Sequence, residues 1–568
     1  MPSPRRASGW FLAATAGVLL VIGSCTINPA TGRRQLTLLS EAQEIEMGRR
    51  SHPEILRAYG AYPDEAWQKY VQDVGAALAA QSERPDLAWT FTVLDDPAVN
   101  AMALPGGYVY VNRGILALFN SEAELASVLG HEIGHVTARH SVEQISRMQL
   151  ANLGLGVASV VSEDFREYSG LAGQGVSLLF LKFSRDDERQ ADHLGLRYMT
   201  LGGYDPHEMP KVFHTLDRVS AEAGGQSLPN WLSTHPNPGN RASTMDAEIT
   251  QLAPEERGGT IGRDAYLSRL DSMVYGANPR EGYAVGRTFY HPDLEFRLEF
   301  PTAWQIVNQR SAVGAVSPQK DAVVVLTLAE ESSTEAAARA FFSQQGIERG
   351  AQWRAGFDTF HTIDPTSGSR RSQGIVGFVD HGEHIYQLLG YSVADAWSGY
   401  QNEVQTSLSS FGPLRDRKYL DVEPQRIQVI EVPRSMTLEQ FAKSYPSTVD
   451  TATLALINGV AVGSALDKGA LVKRVVGGTR RARRAPTSRS IWLSTDPVAT
   501  RKRRDSSSLV GGACPSWNRL AIRLKICSPV GTRSHSSRYP LELLRTKAAK
   551  CWCVNEISSP SRTMIQVM

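Results

Sequence analysis

The sequence predicts an α+β chain of several domains, and three observations carry that prediction. At 568 residues the chain is too long for a single hydrophobic core. Its 42% hydrophobic and 21% charged residues are those of ordinary globular protein. Apolar residues recur at helical spacing after Ser121, whereas short alternating, strand-like runs fill much of the stretch from Arg287 to Gly412.

The N-terminus reads as an export signal over residues 1–24. Arg5 and Arg6 precede an apolar run from Trp10 to Ile22, shorter than the roughly 20 residues a membrane span needs. The run ends in "IGSC" at Cys25, and the next cysteine lies far away, at Cys514. "IGSC" resembles a bacterial lipobox, which implies lipidation of Cys25. Thr26, rather than an aspartate, after that cysteine points to the outer membrane, facing the periplasm.

The stretch "VLGHEIGHVTARHS", Val128 to Ser141, carries the chemistry. Ser121 with Glu124 forms a capping-box pattern, so a helix is expected to begin there. Leu125, Val128, Leu129, Ile133 and Val136 define its buried stripe. His131 and His135 fall one turn apart, so both imidazoles can grip one metal ion while Glu132 reaches its open side. Extending the same helix rotates His140 away, to serve as a hydrogen-bonded helix residue rather than a ligand. Gly130 and Gly134 each cost about 1 kcal/mol inside a helix, so something must approach that face closely.

A third ligand has to come from elsewhere. "FSRDDERQADHLGLRYM", Phe183 to Met199, reads as a second helix capped by Ser184 and stopped at Gly202–Gly203. Glu188 and Asp192 lie one turn apart on it. Taken alone, such a pair is a solvated helix face. Beside the first helix, Glu188 completes a His-His-Glu site and Asp192 orients a ligand imidazole through its other N–H.

"HEIGH" followed by "FSRDDERQADHLGL" resembles the CAAX-prenyl-protease/HtpX-like zinc metallopeptidases, peptidase family M forty-eight, in their soluble lipoprotein branch. Three more stretches support the resemblance: "NPATGRRQLTLLSEAQEIEMG" (Asn28 to Gly48), "NAMALPGGYVYVNRGIL" (Asn100 to Leu116) and "STHPNPGNR" (Ser233 to Arg241). The longest apolar run after the signal, Leu153 to Val161, is too short to span a membrane. The resemblance implies a helix-rich zincin, specifically a gluzincin, with a short edge sheet over residues 25–255. It assigns one zinc per subunit to His131, His135 and Glu188, with Glu132 as general base acting on water. His235 and Arg241 are the expected donors to the developing oxyanion, and His235 could instead fill a fourth ligand position in a latent state. The alternation Tyr108 to Val111 reads as an edge strand that pairs with substrate, with Asn100, Gly106 and Gly107 shaping the cleft wall. An ordinary sheet strand is the equally simple alternative.

Residues 256–286 read as a linker. Residues 287–415 form a small α/β domain, similar to the PsbP-like fold, with a helix near Glu335–Gln345 and no visible chemistry. Ile427 to Val476, within a module at 426–477, resembles a LysM-like domain in Thr437, Asn458 and Gly469. Arg434-Ser435-Met436 departs from the usual glycine-aspartate approach, so peptidoglycan binding and simple docking stay open. No 34-residue period appears, which excludes tetratricopeptide repeats. The tail, 478–568, holds 18 Lys or Arg against 4 Asp or Glu, leaving the first 478 residues at a net charge of −12. Nothing aromatic organises those basic residues, so nucleic acid is not an expected partner; the tail is expected to be disordered or an out-of-frame extension.

The leading functional expectation is a membrane-tethered zinc endopeptidase acting on unfolded or misassembled envelope proteins. The alternative is a chaperone or assembly factor that binds such clients with little proteolysis. A cell-wall hydrolase guided by the LysM-like part is the weaker third, since no other segment suggests glycan chemistry.

Overall fold

A computed structural model describes residues 25–152, 178, 181–222, 235, 240–363 and 370–478. The export signal, the Leu153–Val161 run and the basic tail lie outside the described residues. The fold mixes helix and sheet, as expected of an α+β chain.

The chain enters through a two-stranded hairpin, β1 (Cys25–Ile27) and β2 (Arg34–Leu36). Helix α1 (Glu41–Tyr59) starts at a complete capping box, Ser40 with Gln43, and ends at Gly60, whose φ of 72° suits glycine. Helix α2 (Glu65–Ala79) follows. A three-stranded sheet comes next: β3 (Thr90–Leu94), β4 (Ala101–Leu104) and β5 (Tyr108–Asn112). Val93, Val109 and Val111 face the main core, and Leu94, Met102, Leu104 and Tyr110 pack with Ile55 of α1 on the other side.

The strand order is β3-β5-β4, so Tyr108–Asn112 is central, hydrogen-bonded on both sides. This corrects the expectation of an edge strand at Tyr108. Among the described strands, β4 has β5 as its sole partner and carries the open edge. Gly106 and Gly107, at φ of 84° and 94°, make the turn between them. A Cβ on Gly106 would lie 2.8 Å from the Ile45 Cα, so this turn is clamped on α1 and does not wall a cleft. The Tyr108 side chain likewise packs on α1, against Gly48 and 5.0 Å from the His52 ring.

After α3 (Arg113–Leu116) comes α4 (Glu122–Thr137), the helix of the histidine motif. Ser121 Oγ accepts from the Glu124 N–H at 3.1 Å, but the Glu124 carboxylate accepts from Asn120 N–H, not Ser121. Every residue of α4 from Ala123 to Thr137 is buried, so its apolar stripe covers only part of a fully enclosed helix. The chain then breaks: Arg139 adopts φ 57°, and α5 (His140–Asn152) sets off in a new direction.

Helix α6 (Arg185–Leu201) is bounded as the sequence predicts, by Ser184 with Asp187 as a capping box and by Gly202. It crosses α4 at a glycine seam. A Cβ on Gly130 would lie 2.9 Å from Gly195 O, on Gly134 3.0 Å from Ala191 O, and on Gly195 2.8 Å from His131 N. The helix-interior glycines therefore let two backbones meet. Helices α7 (Glu208–Glu222), α8 (Arg241–Ile249) and α9 (Arg263–Leu270), followed by the short strand β6 (Val274–Tyr275), complete this part. The expected linker 256–286 is in fact structured: Tyr266, Leu267, Leu270 and Met273 lie in the main core.

Residues 283–413 form a seven-stranded antiparallel sheet beside a four-stranded one. Helices Thr334–Phe342 and Trp397–Ser409 cover opposite faces of the larger sheet, as the alternation of Val324/Val325, Ile375/Val376 and Leu388/Leu389 between two cores requires. The C-terminal module runs β7 (Gln425–Glu431), α10 (Leu438–Ser444), α11 (Thr451–Ile457) and β8 (Leu471–Gly477). Its β7 also pairs with Val274–Tyr275, and Ile427 enters the main core, so the module is stitched to the histidine-bearing part.

Candidate metal centre and active site

The seam between α4 and α6 sets the site. Because the backbones touch there, Glu188 and Asp192 of α6 reach across to His131 and His135 of α4, and all four are buried. His131 Nε2 and His135 Nε2 lie 3.1 Å apart. Glu188 Oε1 is 3.4 Å from His135 Nε2, and its Oε2 is 3.7 Å from His131 Nε2. His235 joins them, its Nδ1 3.0 Å from Glu188 Oε1 and 3.3 Å from His131 Nε2. One ligand atom from each of these four residues lies within 4.8 Å of every other.

This donor set fits a divalent cation. Tetrahedral N or O ligands at 2.0–2.1 Å from an ion stand about 3.3 Å apart, which is the spacing observed. Asp192 Oδ1 accepts from His131 Nδ1–H at 2.9 Å, so the His131 Nε2 lone pair points into the cluster. Glu188 Oε2 is buried there without a hydrogen-bond partner among the described residues. Lone pairs crowded at this distance repel one another unless a positive charge sits between them.

Burial and neighbouring charges set the protonation of His131, Glu188 and Asp192. Burial first, against the pull of Asp192, drives the His131 imidazole down to about 3, so it is neutral. Burial would raise the Glu188 carboxyl, but His235 and His135 outweigh it and hold it well below the usual range. Burial likewise opposes ionisation of Asp192, and Arg241 with His131 reverses that effect.

Arg241 departs from its expected role. Its Nε donates to Asp192 Oδ2 at 2.8 Å and its Nη2 to Asp192 Oδ1, while Nη1 lies 3.3 Å from Glu188 Oε2. Its Nη2 stands 3.4 Å from His131 Nδ1, the ring nitrogen facing away from the donor cluster. The guanidinium thus braces the two carboxylates and is not poised as an oxyanion donor. Glu132 is buried beside the donors, its Oε1 3.6 Å from His235 Nε2. Asn100 precedes the open-edged β4; it is buried and, among the described residues, its Oδ1 has no hydrogen-bond partner. Tyr108 and Gly106 pack on α1 instead, and Gly107 lies against Leu87 and Trp89. Cys25 opens β1.

Sequence reasoning missed three supports. His140, expected to point elsewhere, has Nδ1 2.9 Å from His135 Nδ1, because the break at Arg139 turns it back. Asn28 and Gln35 donate to Ala138 O at 2.9 and 3.0 Å, capping the C-terminal end of α4. Lys473 of β8 is fully buried and donates to the carbonyls of Ala117, Leu118 and Phe119 at the other end. No pattern of spacing advertises contacts between residues so far apart. The Asn28–Gly48 stretch was the available signal for the first pair.

Residues 65–249 match the family model described as Peptidase family M48. The chain carries a metallopeptidase domain of that family. Over 211 residues it is 35% identical to the mitochondrial metalloendopeptidase OMA1 of Arabidopsis thaliana, covering 36% of this chain and 42% of that protein. It is 29% identical to a beta-barrel assembly-enhancing protease of Yersinia pestis, covering 44% and 52%. Against the same-named protein of Escherichia coli K12 the values are 26%, 40% and 48%. The chain thus spans about half the length of these relatives. A solved structure, cyanobacterial PsbP from Synechocystis, overlaps 23% of this chain and 94% of its own at 10% identity, but a TM-score of 0.18 carries no argument about the 287–415 domain. Among the described residues, no helix of the metallopeptidase domain or beyond it is long and apolar enough to cross a membrane.

Proposed function

We propose that the chain is a zinc-dependent endopeptidase of the bacterial envelope, of gluzincin type, that cleaves unfolded or misassembled exported proteins. One observation carries the reading: two motif imidazoles and a carboxylate from a second helix converge at ligand spacing with Glu132 beside them. Nitrogen and carboxylate donors in a near-tetrahedral set select zinc among common cations. His131, His135 and Glu188 would hold the zinc, which when bound would supply Lewis acidity and lower the pKa of water.

The chain's own residues do the rest. Glu132 takes a proton from the attacking water at a carboxylate oxygen and returns it to the leaving amine nitrogen. Asp192 and Arg241 keep His131 and Glu188 oriented. The open edge of β4, behind Asn100, offers backbone N–H and C=O groups to an extended peptide, which favours clients of varied sequence. His235 occupies the fourth donor position here, an arrangement that suits a latent resting state. It must swing out for a peptide carbonyl to enter. Its Nε2 would then be free to donate to the oxyanion.

The relatives named for beta-barrel assembly support an envelope setting, and acylation of Cys25 would hold the protein on the periplasmic side of the outer membrane. Contacts of the LysM-like module with the rest of the chain favour a docking role for it. Its Lys473 is spent on the 117–119 carbonyls, and the carbonyl of Val460 accepts from Arg218 at 3.0 Å.

Glu132→Gln tests the reading. Casein cleavage should fall at least about a thousandfold while bound zinc stays at one per chain, and a chelator should silence the wild type. Undiminished cleavage by the variant defeats the assignment. A wild type that binds clients but never cuts them favours the assembly-factor reading.

A further inference from the structure

The geometry points to His140 as a positioning residue for His135: with Gln190 it fixes which ring nitrogen of His135 faces the donor cluster. The inference rests on the metal-site reading above and adds a second orienting chain to it.

The hydrogen-bond order along this chain is determined from its outer end. His140 Nε2 lies 2.7 Å from Gln190 Oε1, and Asp187 Oδ1 is 3.8 Å from the same nitrogen. Both neighbours are acceptors, so Nε2 of His140 carries the proton. In a neutral imidazole Nδ1 then bears a lone pair. That lone pair faces His135 Nδ1 at 2.9 Å, so His135 must donate there. Its Nε2 is left unprotonated, 3.1 Å from His131 Nε2 and 3.4 Å from Glu188 Oε1, as a metal ligand requires.

His140 therefore does for His135 what Asp192 does for His131, by different means. Asp192 is an anion braced by Arg241, whereas His140 is neutral and ends on an amide. His140 is 3% exposed, so water does not compete for the bond. Phe183, whose ring centre lies 4.1 Å from that of His135, closes the other side. The sharp turn at Arg139 makes the contact possible, because a continuous helix would carry His140 well away from His135.

The test uses the full chain stripped of metal. Zinc affinity is read by competition with a chromophoric chelator, ligand geometry by the visible spectrum of the cobalt-loaded protein, and folding by thermal unfolding of the metal-free form. His140→Phe should weaken zinc binding roughly 10- to 100-fold and alter the cobalt spectrum. His140→Asn, whose Oδ1 can accept from His135 Nδ1–H, should recover most of the affinity. Equal losses in both variants would mean that His140 only fills space, and unchanged affinity in both would mean that it does nothing for the ligand. Either result overturns the proposal. Should His140→Phe fail to fold, Gln190 decides. Gln190→Leu should lose several-fold in affinity and Gln190→Glu should keep it; equal values for the two overturn the proposal as well. A wild type that binds neither zinc nor cobalt removes the metal-site reading itself, whereas a wild type that binds both with silent variants removes only the role of His140.

Discussion

At its N-terminal end α4 buries Glu124 facing Lys473; along its C-terminal half it buries His131, Glu132 and His135 facing Glu188, Asp192 and Arg241. Both arrangements bring ionisable groups together from distant parts of the chain, and both are sealed from water. They differ in balance. Lys473 offers three N–H bonds to three carbonyls, and the Glu124 carboxylate accepts from Asn120 N–H. Burial pushes the Glu124 carboxyl up to about 7 and the Lys473 ammonium down to about 7, each opposed by the other's charge. That end is closed and complete. At the other end three carboxylates, from Glu132, Glu188 and Asp192, meet one guanidinium, two fewer cationic side chains than carboxylates. A divalent cation would make up that deficit. Buried charge that balances itself marks structure, and buried charge left short marks a site.

The largest effect should come from breaking the closed end. Lys473→Met should destabilise the chain by about 3–5 kcal/mol, since it leaves Glu124 and three carbonyls without their cation. Adding Glu124→Gln should recover part of that loss, and a double-mutant cycle by denaturant unfolding measures the coupling. Metal affinity should move far less than stability. If both single variants prove neutral, the two ends are not built on the contrast drawn here.

Next comes the seam that joins the helices. Gly195→Ala places a methyl against the His131 backbone, which cannot yield without α4 and α6 parting. Overpacking of this kind costs about 1–3 kcal/mol, and here zinc affinity should fall together with stability. A fall in stability alone would show that ligand convergence does not depend on the seam.

Opening the metal end should give a gain. His235→Ala removes the fourth donor, and casein cleavage should rise roughly fivefold or more, the low end of coupling between two states. A fall would instead make His235 chiefly an oxyanion donor. The smallest effect belongs to the caps: Asn28→Ala should cost about 1 kcal/mol in thermal unfolding, because Gln35 still reaches Ala138 O.

These contrasts also separate what could be read from the sequence. The bounds of α6 follow from Ser184 and Gly202, because caps are local. Gly130 and Gly134 announced a close approach to α4, and Gly195 and Ala191 are what approaches. The helix expected near Glu335–Gln345 runs over Thr334–Phe342, and "AVVVLTLA" is a strand at Ala322–Leu328. What stayed hidden depends on tertiary geometry. The edge role went to Ala101–Leu104 because β3 pairs with the far side of Tyr108–Asn112, a choice that alternation along one strand cannot encode. His140 was misdirected because angular bookkeeping assumes an unbroken helix, and the break rests on one residue, Arg139, in the left-handed region. Arg241 lost its oxyanion role because its carboxylate partners sit on another helix.

The hairpin at the start of the described chain has a mechanical consequence. Asn28 grips the last turn of α4 three positions after Cys25, with no spacer in between. Acylation at that position would leash the helix of the histidine motif to the bilayer without slack, so that reach along the membrane normal would become a selectivity filter in its own right. Chains stalled at the surface would then come within range, and those already free in solution would not.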